Sequence, residues 1–216
     1  MHREGYGIIF AFAITALVIT VGYRTLGGGL VVQILAVTMW LLTLLSLYFF
    51  RDPERRAPEG TGLIVAPADG KVVAIDEVEE PDFIGGRAKR ISIFLSVLDV
   101  HVNRVPVEGV VRLFRYQPGK FHVASLAVAS IENEQSIVGV EAPGGKILFK
   151  QIAGLIARRI VCELREGHKV RRGERFGIIK FGSRMDVFMP HTAEIKVRLR
   201  QQVTAGESII GEFHNE

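Results

Sequence analysis

The 216 residues hold only one cysteine and one tryptophan. A lone thiol cannot close an internal disulfide. Cys162 lies in the apolar run RIVCEL and reads as a small buried hydrophobe. A nucleic-acid footprint is missing too: the formal net charge is only +4, with no aromatic-basic interleaving and no groove-reading helix. No set of histidines and carboxylates has zinc-like spacing, and there is no His-x-His. That absence argues against a membrane-tethered metallopeptidase built on a β scaffold.

Charge is also missing over two long runs. Residues 5–23 and 25–50 contain none, and only Arg24 interrupts them. Each is close to the roughly 20 apolar residues that cross a bilayer core as a helix. Gly27, Gly28 and Gly29 supply a flexible connector, so a two-helix hairpin is expected. A cleaved signal peptide would account for the first run, but the second would still hold the chain in the bilayer. Positive charge flanks the pair outside, at Arg3 and at Arg51, Arg55 and Arg56. By the positive-inside bias both ends face the cytoplasm, which predicts an inner-membrane anchor with the soluble portion on the cytoplasmic side. The remainder carries most of the positive excess, which suits an anionic lipid surface.

Residues 51–62 mix Pro, Gly and charge and read as a linker. Beyond them come short alternating runs with turn signals, at 63–66, 71–77, 90–95, 109–116, 136–141, 146–153, 158–164, 176–181, 186–189 and 194–199. This pattern predicts a mostly antiparallel β domain over 63–216, with one helix around 124–133. The segments at 66–73 and 167–177 both look like turns of barrel-sandwich hairpins, as in lipoyl and biotinyl domains. Gly167, Gly173 and Gly177 fall where tight corners need glycine.

Three places combine groups able to do chemistry: PADGKV at 67–72, FLSVLDVHVNRVP at 94–106 and KFGSRMD at 180–186. Taken singly, Asp-Gly is a turn, a histidine between valines is a packed strand residue, and Gly-Ser is uninformative. Their joint, ordered occurrence carries the signal.

With YQPGKF at 116–121, ASIENEQ at 129–135 and FFRDPERR at 49–56, this set resembles the short form of phosphatidylserine decarboxylase. Archaetidylserine decarboxylases of similar length share the same set. The resemblance implies that the chain breaks itself between Gly182 and Ser183, giving fragments 1–182 and 183–216 that stay associated as a heterodimer. Ser183 would become a covalent pyruvoyl group, the enzyme's cofactor. Its ketone would form a Schiff base with the amino group of a serine phospholipid and act as the electron sink for decarboxylation. Glycine before the nucleophile would leave the carbonyl open to approach and allow a strained turn.

The resemblance also suggests roles for other residues. His101 is the expected general acid that returns a proton after carbon dioxide leaves. Asp69 resembles the family aspartate of the self-cleavage relay, where it would orient a base near Ser183. The chain departs from the longer enzymes at Arg104, which stands where they carry a second histidine. Arginine stays protonated and cannot be the base. Either His101 does both jobs, or cleavage leans on strain and on an oxyanion held by Arg104. Arg104 is alternatively a ligand for the substrate's phosphate or carboxylate.

The resemblance implies a phospholipid substrate, a membrane partner and a place in phospholipid biosynthesis, and a homo-oligomer would be unsurprising. The rival reading is a non-enzymatic lipoyl-like carrier. It needs an exposed lysine at a hairpin tip, where this chain has Ser183-Arg184-Met185-Asp186.

Overall fold

A computed structural model describes residues 1–124, 128–155, 159–180 and 182–214. The chain divides into two compact units, Met1–Pro53 and Glu54–Glu216.

In the first unit α1 spans Tyr6–Leu26 and α2 spans Leu30–Phe49, with Gly27 to Gly29 between them as expected. Both are long and apolar enough to cross a membrane, with mean hydropathies of 2.1 and 2.3. Their polar side chains are arranged for surroundings without water. The hydroxyls of Thr20, Thr38 and Thr43 each donate to the carbonyl four residues back. Trp40 Nε1 donates to Thr20 Oγ1 at 3.2 Å, tying one helix to the other. Phe10, Leu17, Val31, Leu41 and Leu44 point outward. An exposed apolar surface of this extent is of the kind that marks an interaction site, a membrane among them.

The second unit is a curled antiparallel β domain. Its main sheet has eight strands in the order β13 (Gln202–Val203), β2 (Gly70–Glu80), β3 (Gly86–Leu95), β11 (Ser183–Pro190), β7 (Gly145–Ile152), β6 (Gln135–Ala142), β5 (Gly109–Gln117) and β9 (Lys169–Val170). A three-stranded sheet runs β4 (Val102–Arg104), β10 (Arg175–Lys180), β8 (Arg159–Cys162). Another joins β1 (Leu63–Val65), β14 (Ile209–Glu212) and β12 (Glu194–Ile195).

Alternation explains the core. On β3, Ile91, Ile93 and Leu95 face inward, and across the ladder stand Val187, Met185 and Ser183. With Phe149, Phe176, Val138 and Val140 they form one contiguous apolar cluster. The opposite face of β11 carries Arg184, Asp186 and Phe188, and is also buried. This strand therefore has no wet side, unlike the half-exposed β5.

The strand expectations hold with shifted ends, except at the edges. The run expected at 194–199 narrows to the two residues of β12, and β4, β9, β13 and β14 are additional. The helix expected around 124–133 is a single turn, α3 (Ala129–Glu132), and positions 125–127 lie outside the described residues. Residues 54–60, expected as linker, lack regular structure but belong to the β domain. Arg172 Nη2 donates to the carbonyls of Pro58 and Gly60 at 2.9 and 2.8 Å, and Arg175 pairs with Glu54 at 2.7 Å.

Candidate active site

Two connections carry the chain between the same two sheets. Residues 96–101 lead from β3 to β4, and residues 181–182 lead from β10 to β11. Strands β3 and β11 are neighbours in the large sheet, and β4 and β10 are neighbours in the small one. The ends of the two connections are therefore neighbours, and the chain passes between the sheets in opposite directions. Ser183 opens β11 opposite Leu95, the last residue of β3. On the other side of the crossing, Val102 pairs with Ile178, which puts His101 at the corner end of β4. The two connections make one corner of the domain, with His101 at the β4 end of one and Gly182-Ser183 at the β11 end of the other.

Ser183 is fully buried, and its Oγ has no hydrogen-bond partner among the described residues. Leaving a buried hydroxyl unsatisfied costs about 1–3 kcal/mol, so an orphan here calls for an explanation beyond packing. His101 is also fully buried, with Nδ1 at 3.0 Å from the Asp99 carbonyl. A carbonyl only accepts, so Nδ1 carries the proton, and in the neutral ring Nε2 keeps the lone pair.

Behind this corner the two sheets are bridged by a buried amide pair, in which Gln151 Nε2 of β7 donates to Asn103 Oδ1 of β4 at 2.8 Å. Gln151 stands opposite Met185, two residues from Ser183. Asn103 Nδ2 and Gln151 Oε1 have no partners among the described residues, so the pair is only half satisfied.

On the other face of β11, Arg184 Nε donates to Asp186 Oδ1 at 2.6 Å and its Nη2 to Ser92 Oγ at 2.9 Å. Ser130 on α3 donates to Asp186 Oδ2 at 2.8 Å. That bond fastens the α3 segment over the strand that begins with Ser183.

Asp69 stands in the turn before β2. Its carboxylate accepts from Arg55 Nη1 and Nη2 at 2.5 and 2.8 Å and from the Ala205 amide at 2.8 Å. It thus pairs with an arginine of the expected linker. Next to it, Gly70 has φ +148°, and a side chain there would strike the Phe94 carbonyl. That close approach explains why the Asp-Gly turn needs glycine.

Arg104 stands opposite Arg175 at the start of β10, three residues beyond His101. Its Nη1 donates to the Gly173 carbonyl at 2.9 Å. The buried guanidinium lines a cavity of about 430 Å³ together with Arg55, Arg171, Arg172 and Arg175.

A family model for phosphatidylserine decarboxylase matches residues 42–211. The chain belongs to the phosphatidylserine decarboxylase family. Among curated relatives, a phosphatidylserine decarboxylase proenzyme of Syntrophus aciditrophicus is 47% identical over 98% of this chain and 96% of its own length. A protein of the same name from Salinibacter ruber is 54% identical over 76% of this chain and 74% of its own. Another, from Rickettsia africae, is 45% identical over 99% and 90%.

The matched span holds Asp69, His101, Arg104, Gly182 and Ser183, but it starts inside α2 and leaves α1 outside. The sequence reading of this decarboxylase-family chain missed Arg55, although FFRDPERR contains it, and missed the Asn103–Gln151 pair. The signal for Asn103 was present in HVNRVP: a short polar residue between Val102 and Arg104 in a run bounded by valines.

Proposed function

We propose that this chain is a self-processing enzyme that decarboxylates phosphatidylserine to phosphatidylethanolamine in phospholipid biosynthesis. It works at the cytoplasmic face of a membrane that holds α1 and α2. The observation that carries the reading is the buried Ser183 hydroxyl directly after Gly182, which has no hydrogen-bond partner among the described residues.

In the first step Ser183 Oγ attacks the Gly182 carbonyl carbon. The peptide C–N bond breaks, an ester forms, and the hydroxyl proton ends on the freed amine. His101 Nε2 is the base that carries this proton, because Arg104 cannot accept one. β-Elimination then removes the Cα proton of residue 183 and expels the Gly182 carboxylate, leaving dehydroalanine. Addition of water and loss of ammonia give the pyruvoyl group. The fragments are 1–182 and 183–216, and they stay together because β11 pairs with both β3 and β7.

A pyruvoyl group fits the position: it is smaller than the serine that precedes it and has no hydroxyl to satisfy. It supplies a ketone for the substrate's amino group and an electron sink for the bond to carbon dioxide. Burial of the corner excludes water from that chemistry, and His101 returns the proton to carbon after carbon dioxide has left. Asp69 acts at a distance, by holding Arg55 and the Ala205 turn.

Intact mass and a denaturing gel test the reading, beside Ser183→Ala. The expected result is two fragments broken after Gly182, the smaller lighter than its encoded mass by one ammonia, and one uncut chain for the variant. Purified wild type should release carbon dioxide from phosphatidylserine in detergent micelles, and the variant should not. A folded wild type that stays uncut at its encoded mass overturns the proposal.

A further inference from the structure

Resting on the self-cleavage reading, we infer that Gly154 is the seat of the carbonyl at which the chain cuts itself, and that this position must lack a side chain for the cut to occur. The ladder between β7 and β11 pairs Ile152 with Arg184. Two residues further in the same antiparallel register, Gly154 stands opposite Gly182. A Cβ built on Gly154 would lie 2.0 Å from the Gly182 carbonyl oxygen and 3.1 Å from its carbon. The carbonyl to be attacked occupies the space that any side chain at 154 would fill.

The opposite glycine has no such constraint. A Cβ on Gly182 would meet nothing within 4 Å among the described residues. Packing of the uncut chain therefore demands glycine at 154, on the strand facing the cut, more than at the cut itself.

Gly154 cannot easily move aside. The Ala153 amide donates to the Glu134 carbonyl at 2.9 Å, and the Ala153 carbonyl accepts from Asn133 Nδ2 at 2.7 Å. Asn133 is itself fully buried and fixed, donating to the His122 carbonyl and accepting from the His122 amide, both at 2.8 Å. A Cβ at 154 would have Ala124 Cβ at 3.1 Å as well. What yields is the Gly182 carbonyl, which rests in an irregular corner rather than in a ladder. Displacing it swings the attacked carbon away from Ser183 Oγ.

The test compares full-length wild type, Gly154→Ala and Gly86→Ala in detergent. The last is a control, because a side chain at Gly86 meets nothing within 4 Å. Appearance of the 183–216 fragment is timed on denaturing gels, circular dichroism follows folding, and hydroxylamine is added to release any ester already formed. A misplacement of about 1 Å lowers rates by about 10²-fold. Gly154→Ala should therefore melt cooperatively yet remain uncut, slowed by about that factor, with no hydroxylamine-sensitive fragment, while Gly86→Ala is cut like wild type.

A Gly154→Ala chain cut at the wild-type rate overturns the inference and leaves self-cleavage standing. So does one that accumulates the ester, since attack would then have occurred. A chain that fails to fold also overturns it, because the glycine would then serve the domain rather than the cut. An uncut wild type is a different result, and sinks the self-cleavage reading itself.

Discussion

Arg55 grips Asp69 through both guanidinium nitrogens, Nη1 to Oδ1 and Nη2 to Oδ2, and Nη1 also donates to the Ala205 carbonyl at 2.9 Å. The two side chains are 7% and 15% exposed, so the pair is largely removed from water. It fastens the segment leaving the apolar helices to the turn before β2, and one of the arginines counted toward membrane orientation is in fact occupied by the domain. Removing one partner of a fully buried pair costs about 3–5 kcal/mol, and the residual exposure reduces this to about 2 kcal/mol. Arg55→Ala should lower the melting temperature of the β domain by several degrees. Arg55→Lys should recover part of the loss, because it keeps the charge without the forked geometry. Differential scanning calorimetry would show this, and an unchanged melt for Arg55→Ala would refute it.

The amide pair Asn103–Gln151 allows a cleaner test of coupling. Each single change, Asn103→Leu or Gln151→Met, leaves the other amide buried without its partner, a penalty of about 1–3 kcal/mol. Changing both removes the polar groups together, and the double variant should lose at least about 1 kcal/mol less than the two single losses combined. Urea denaturation of the four proteins measures this, and strict additivity would show that the hydrogen bond carries no coupling.

Much of the fold was legible because alternation was strong. RISIFL and the runs at 136–141 and 146–153 announced β3, β6 and β7, and two charge-free runs announced α1 and α2. Strand β4 escaped because two of its three residues, Asn103 and Arg104, are polar and yet buried, an arrangement no hydropathy pattern reports. The motifs singled out Ser183 and His101 as candidates but said nothing of their surroundings. Asp69 meets an arginine 14 residues earlier, and Gly154 faces Gly182 across 28 residues. Both relationships depend on strand register and chain path, which local composition does not encode.

On the far side of β11, Arg184 and Asp186 form an ion pair that is 4% and 0% exposed. Arg184→Met would strand Asp186 with only the Ser130 hydroxyl and more distant cations, and should destabilise the uncut chain by about 3–5 kcal/mol. Adding Asp186→Leu should restore part of that stability, because the uncompensated charge is then gone. Chemical denaturation in a Ser183→Ala background keeps processing out of the comparison. A double variant as unstable as Arg184→Met would argue that the pair contributes shape rather than charge balance.

Cys162 provides a test in alkaline solution. The structure leaves Cys162 half-buried rather than buried as expected, and that burial pushes its thiol up to about 11, with the Leu164 backbone and Arg165 opposing only weakly. The thiolate is the reactive form, so iodoacetamide at pH 8 should modify native protein far more slowly than urea-unfolded protein. The same shift sets a pH dependence. The unfolded thiol loses its proton near its ordinary value of about 9, while the folded one keeps it until about 11. Between those values the unfolded state binds fewer protons, so stability falls as pH rises through this window and is fully present below it. Cys162→Ala should flatten that part of the stability profile, although it loses some packing at every pH. Denaturation midpoints for the two proteins from pH 8 to pH 11 decide the matter: parallel curves would mean that the thiol ionises equally in both states and that burial does not protect it.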